Sequence, residues 1–139
     1  MIILEGTDAV GKTSTIEGLK KYNIICEDRS KDIISKYMLF DYTLEFRANK
    51  YYEYLKNTDC KIIFLINNDK EELLRRVYSR EKISDYDLDT NKYNELYKET
   101  YEYMKNNNML ENKLFLVDVT GLSLEEQINK VKEVILCQE

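Results

Sequence analysis

The stretch that most constrains this chain lies near its start. An apolar run, Ile2-Ile-Leu-Glu5, leads straight into Gly6-Thr7-Asp8-Ala9-Val10-Gly11-Lys12-Thr13, and a helical pattern with Ile16 and Leu19 inward follows over residues 12–22. Two glycines five apart, then lysine and a hydroxyl residue, arise by chance in a chain of this composition roughly once in a thousand cases. The spacing has a physical reason. Glycines let the backbone curl into a nest whose N–H groups converge on phosphate oxygens. A helix N-terminus behind the nest adds its dipole. Lys12 is placed to reach the β- and γ-phosphates, and the Thr13 hydroxyl to ligate Mg²⁺. Gly6, Asp8, Ala9, Val10, Gly11, Lys12, Thr13 and Ser14 are therefore the expected nucleotide-binding residues, with ATP and Mg²⁺ as cofactors.

The rest of the chain alternates strand and helix patterns. A second strand is expected over residues 23–27, carrying Ile24-Ile25-Cys26. Residues 31–57 read as helical in two pieces, with Leu44, Ala48, Tyr51 and Leu55 on one face. Lys61-Ile-Ile-Phe-Leu-Ile66 is apolar throughout, as suits a strand covered on both faces. A helix over 69–80 turns Leu73 and Val77 inward, residues 81–91 read as a polar loop, and a helix over 90–105 carries the stripe Tyr93, Tyr97, Tyr101 and Met104. Residues 114–117 form a fourth strand. Ser123-Leu-Glu-Glu126 is a capping box opening a last helix with Leu124, Ile128, Val131 and Ile135 inward. The order βαβαβαβα predicts an α/β domain with a mostly parallel sheet, spanning 1–139 as one unit.

Composition narrows the chemistry. With no histidine, Ser-His-Asp hydrolysis, Cys-His proteolysis and His-ligated zinc are excluded. Cys26, Cys60 and Cys137 are too scattered for a metal knuckle or a disulfide framework, which predicts a reducing, cytoplasmic setting. No apolar run approaches the roughly 20 residues of a membrane span, and the first residues carry no signal-peptide pattern, so no membrane association is expected. A net charge of −5 argues against a broad face for duplex nucleic acid while allowing a local cationic pocket.

Lysine and arginine together number 21, and only Arg29, Arg47, Arg75, Arg76 and Arg80 are arginine. In a composition so biased toward lysine, arginines mark positions where a planar fork outperforms a point charge. Three of the five fall between 75 and 80, and Arg76 and Arg80 share a helix face. They suit a flap that closes over a triphosphate and stabilises developing charge, over a lid region of about 75–92. The alternative is a solvated face paired with Glu71 and Glu72.

A phosphate loop of this kind needs an acid at a neighbouring strand tip, near the metal. Three stretches offer one. Asp28 is preferred within Glu27-Asp28-Arg29-Ser30, because an acid beside an arginine suits both Mg²⁺ and a phosphoryl group. Asp69 reads better as a helix cap. Asp118-Val-Thr-Gly121 is similar to the DxxG of GTP-hydrolysing switches, but no NKxD follows, and it reads as a strand end with a glycine turn.

Taken in order, Leu4-Glu5-Gly6-Thr7-Asp8-Ala9-Val10-Gly11-Lys12-Thr13, Glu27-Asp28-Arg29-Ser30 and Glu72-Leu-Leu-Arg-Arg-Val-Tyr-Ser-Arg80 resemble the thymidylate kinase branch of nucleoside monophosphate kinases, or the related deoxynucleoside kinases. The resemblance implies a three-layer P-loop fold. It implies that Lys12 and Thr13 hold ATP·Mg²⁺, that Asp8 touches the acceptor sugar or a loop neighbour, and that Asp28 assists the metal. Arg29 would contact the transferring phosphate, and Arg75, Arg76 and Arg80 would form the lid. Thymidylate kinases carry a catalytic arginine either in the loop or in the lid. The loop position here is Ala9, which implies the lid arrangement.

One departure is large. Relatives of this kind place a further strand and two helices between the loop helix and the Asp-Arg strand, and that segment holds the acceptor nucleotide. Here the helix pattern ends near Tyr22 and the strand pattern starts at Asn23. The missing strand is the sheet's edge in that fold, so four parallel strands in the order 2-1-3-4 are predicted, with ligands at their carboxyl ends. The acceptor pocket must then come from elsewhere: Tyr42, Phe46 and Arg47, or Tyr86, Tyr93 and Tyr97. The expected activity is transfer of the γ-phosphoryl group of ATP to a nucleoside, a nucleotide or a similar small acceptor. Transfer to a phosphate needs no base, and transfer to a hydroxyl could use Glu5, Asp8, Glu27 or Asp28. The alternatives are a reduced nucleotide binder without turnover, acting as a regulator or partner subunit, and a small NTPase. The usual dimer surface of such kinases lies partly in the absent segment, and a homodimer is the protein partner the resemblance leaves open.

Overall fold

The structure, a computed structural model, describes residues 1–28, 35–39, 41–80 and 89–137. Arg29, Ser30 and Tyr86, residues 81–88 of the loop predicted over 81–91 and the side chain of Asp8 lie outside the described part.

Four strands form one sheet: β1 Ile2–Glu5, β2 Cys26–Asp28, β3 Lys61–Ile66 and β4 Leu114–Asp118. Their order is β2-β1-β3-β4 and every pairing is parallel, as predicted. The described helices are α1 Lys12–Leu19, α2 Lys36–Leu39, α3 Leu44–Asn57, α4 Lys70–Tyr78, α5 Thr90–Asn106 and α6 Leu124–Cys137.

The two-residue period of the strands distributes the core. Ile3, Ile62, Phe64 and Ile66 face α2, α3 and α5, packing on Met38, Ala48, Tyr51, Leu55, Tyr97 and Met104. Leu4, Ile63, Leu65 and Val117 face α1 and α6, packing on Ile16, Leu19, Val131 and Ile135. Helices thus cover both faces, giving three layers. Phe64 anchors the first interface, meeting Tyr51 and Tyr97 edge-on at 5.3 and 4.9 Å. Such aromatic pairs each contribute about 0.5–1.5 kcal/mol beyond their buried area. The helix α4 stands apart from the sheet. Its Leu73 and Val77 pack on Ala9 of a 3₁₀ turn, Asp8–Val10, and so tie α4 to the loop after β1.

Boundaries differ from expectation where the backbone turns early. The helix pattern of 12–22 closes in a 3₁₀ turn, Lys20–Tyr22, capped by Asn23 at φ 59°. The second strand starts at Cys26 instead of residue 23, because Asn23 and the two residues after it make the reversal, leaving Ile25 69% exposed. At the other end, Leu124 is 49% exposed and the inward stripe of α6 runs through Gln127, Val131 and Ile135. The capping box forms as read: Glu126 N–H donates to Ser123 Oγ at 3.2 Å, and Ser123 N–H to Glu126 Oε1 at 3.0 Å.

Candidate functional site

The parallel order places the carboxyl ends of β1, β2, β3 and β4 on one side. The loop from Gly6 to Gly11 leaves β1 there and enters α1. Two glycines are needed for different reasons. A side chain at Gly6 would come within 2.7 Å of the Leu65 carbonyl on β3, so the loop can start this close to the sheet only with no Cβ. Gly11 adopts φ 84°, which turns the backbone into α1.

Lys12 opens α1 and is 4% exposed. Its Nζ donates to the Gly6 carbonyl at 3.3 Å and lies 3.0 Å from Asp28 Oδ1. Loop lysine and strand-tip acid, 16 positions apart in the sequence, meet because β2 pairs directly with β1, Leu4 opposite Asp28. Asp28 is half-exposed, so the pair has one dry and one wet end.

A cavity of about 390 Å³ opens beside the loop. Ala9, Gly11, Lys12, Thr13 and Ser14 of the loop and α1 line it, together with Arg76 and Arg80 from the α4 side and Leu124 and Gln127 from α6. Arg76 is anchored there: it donates to the Ala9 carbonyl at 3.0 Å and to Glu72 Oε1 at 2.9 Å. Arg75 is not brought to the cavity. It points to solvent, 75% exposed, and pairs with Glu72. The three-arginine cluster therefore divides, two side chains to the cavity and one to the surface. Arg80 lies past the end of α4 at Tyr78, so it reaches the cavity from the chain beyond the helix and does not share the expected helix face with Arg76.

The competing acids have other work. Asp69 caps α4, accepting from Glu72 N–H at 3.0 Å. Asn67 is fully buried and exchanges two hydrogen bonds with Asn94 of α5, at 3.0 and 2.9 Å. Asp118 closes the turn after β4, accepting from Thr120 N–H at 2.9 Å and Asn68 Nδ2 at 3.0 Å. Burial pushes its carboxyl pKa up, but the Thr120 hydroxyl and N–H, Lys130 and Asn68 outweigh that and hold it below its usual value. Of the three candidate acids, only Asp28 meets Lys12.

Among the acceptor candidates, Tyr97 is core and Tyr93 is buried. Arg47 is also interior. It donates to the Tyr42 carbonyl at 2.7 Å and to Thr100 Oγ1 at 3.3 Å, with Glu99 3.8 Å away, so its fork ties α3 to α5. Tyr42 and Phe46 stack at 4.9 Å with partly exposed faces, and Tyr37 meets both edge-on.

Gln127 belongs to no motif and is not among the expected site residues. It is 2% exposed, and its amide reaches the loop: Nε2 lies 3.0 Å from the Val10 carbonyl and 2.8 Å from Thr15 Oγ1. The only signal available was its position, one turn before Val131 in an otherwise apolar stripe.

Among the described residues no group of three or more Cys, Asp or Glu is placed to hold a metal alone. A Mg²⁺ bound chiefly through substrate phosphates and waters requires only one or two protein ligands, and Thr13 with Asp28 fits that donor set. Compared with known protein families, with curated proteins and with solved structures, the chain matched none.

Proposed function

We propose that this protein is an ATP-dependent phosphotransferase of the P-loop kind, similar to a thymidylate kinase that lacks one sheet edge, and that it moves the γ-phosphoryl group to a nucleoside, a nucleotide or another small acceptor. The observation that carries this reading is buried Lys12, which is held at the head of α1 between the Gly6 carbonyl and Asp28 and borders a cavity walled by two arginines. A buried lysine beside a glycine-rich turn is a poor choice for packing and a good one for a phosphate.

In this reading the triphosphate takes over Lys12 from Asp28. The lysine then bears on the β- and γ-phosphates, while Asp28 and the Thr13 hydroxyl would hold Mg²⁺. The metal would neutralise charge on the β- and γ-oxygens during transfer. Arg80 borders the cavity on the flap side and would stabilise charge on the transferring group. The acceptor oxygen bonds to γ-phosphorus, the bond to the β–γ bridging oxygen breaks, and ADP leaves. A hydroxyl acceptor would pass its proton to a carboxylate, for which Glu5, Asp8, Glu27 and Asp28 are the candidates. Tyr42 and Phe46 remain the acceptor candidates with accessible ring faces.

One observation favours a second reading, a nucleotide binder without turnover. Only residues 23–25 separate the turn after α1 from β2, so no acceptor-holding segment is inserted there. Incubation with γ-labelled ATP·Mg²⁺ and a panel of deoxynucleosides, deoxynucleoside monophosphates and simple hydroxyl compounds separates the two. Label in one acceptor class, lost in Lys12→Ala, is the expected result. Tight ATP·Mg²⁺ binding with no labelled acceptor would sink the kinase reading and leave the binder.

A further inference from the structure

The hydrogen bonds around Gln127 reach further than anchoring α6. The carbonyl of Val10 accepts from Gln127 Nε2 at 3.0 Å, and the hydroxyl of Thr15 accepts from the same nitrogen at 2.8 Å. Thr15 in turn donates its proton to the Gly11 carbonyl at 2.8 Å. The chain runs in one direction. A carbonyl can only accept and the Thr15 proton is already committed, so the amide must present its NH₂ face here.

Peptide geometry turns this into a statement about the cavity. No peptide bond among the described residues is cis, and in a trans peptide the C=O and the following N–H point opposite ways. Holding the Val10 carbonyl toward α6 aims the Gly11 N–H away from α6. The Gly11 carbonyl points along α1, where it accepts from the Thr15 N–H at 3.0 Å as well as from the Thr15 hydroxyl, and so the Lys12 N–H points the other way. Gly11 and Lys12 both line the cavity, whereas the preceding N–H, of Val10, is already bonded to the Thr7 carbonyl at 3.1 Å. The fit is close: a side chain at Gly11 would meet Gln127 Nε2 at 3.0 Å, besides being strained at φ 84°.

We propose that Gln127, acting through Thr15 and the Val10 carbonyl, is a positioning residue that aims the Gly11 and Lys12 N–H groups at the phosphates and so sets the affinity for the triphosphate moiety. This rests on the reading of the loop as a triphosphate site. Gln127→Met keeps the length and removes the donor. Two ligands are titrated into the folded protein, MgATP and magnesium tripolyphosphate, which has no base or sugar. The expected result is a loss of about tenfold in affinity, similar for both ligands, because only phosphate contacts are affected. Gln127→Glu, which sets acceptor against acceptor, should lose more. A purely architectural glutamine would lower the melting temperature and leave the affinity of the folded protein alone. A folded Gln127→Met that binds tripolyphosphate within twofold of wild type therefore overturns the proposal. Should that variant not fold, Thr15→Val must weaken binding more than Thr15→Ser, which retains the hydroxyl, and equal affinities overturn it. Wild-type protein that binds neither ligand would instead remove the triphosphate reading itself.

Discussion

At the residue scale the central object is Lys12, held by the Gly6 carbonyl and Asp28. Truncation to Ala leaves Asp28 unpaired, but Asp28 is half-exposed and water can take the lysine's place, so the fold should survive the change. A buried partner would not be so forgiving. Arginine should resist replacement at position 80 for a different reason. Lysine there retains the charge and loses the planar fork, so Arg80→Lys is expected to cut turnover by about tenfold or more with ATP affinity little changed. Steady-state kinetics with saturating ATP would check this, and an unchanged rate would remove Arg80 from the transfer step. Residue roles were legible where partners lie within one turn, as with the caps at Asp69 and Ser123. Gln127 and Arg47 were opaque because each has a partner far along the chain, Val10 at 117 positions and Thr100 at 53, across interfaces that no local pattern encodes. Arg47 shows the risk of reading arginine as a phosphate ligand. Its pKa is lowered by burial, with Glu99 and Tyr51 countering, and its donors face a carbonyl and a threonine.

At the element scale, the helices are held by caps as much as by stripes. Asp69→Ala should cost about 1 kcal/mol of stability by freeing the first turn of α4. A urea midpoint would show it, and MgATP affinity should stay put, which separates a cap from a metal ligand. The turn after β4 gives a pH prediction. The Asp118 pKa is lowered from 3.8 in the folded chain, so its ionised form is favoured by folding. That contribution is fully present above 3.8 and is lost as pH falls through the lowered folded value. Asp118→Asn should therefore lower stability at neutral pH and flatten the acid-side decline, as followed by melting temperature against pH. Equal acid-side slopes in the two proteins would contradict this. Element order was readable from the alternation of strand and helix patterns, whereas the sheet order came from the resemblance to a known fold with its edge strand removed. The ends were harder. Tyr22 and Ile25 sit in apolar-looking runs yet lie outside the core, since the turn at Asn23 takes the chain out of register.

At the scale of the whole molecule, the sheet is narrow, with three-residue β2 as one edge. Whether that edge belongs to the same cooperative unit as the core can be read from Cys26. Burial raises its thiol to about 11, so at pH 8 it is protonated as well as hidden. Cys137 is exposed and should be alkylated first. Alkylation of Cys26 in rising urea should coincide with loss of helical circular dichroism, and earlier labelling would mean that β2 opens alone. No described helix is long and apolar enough to cross a membrane.

The loop's claim on a triphosphate is the point on which everything functional here depends. It is tested most directly by titrating MgATP into the wild-type chain and into Lys12→Ala at equal folded concentration. Saturable binding by the wild type, weakened at least tenfold in Lys12→Ala, is the predicted result. The same affinity in both proteins, or no binding by the wild type, would contradict it.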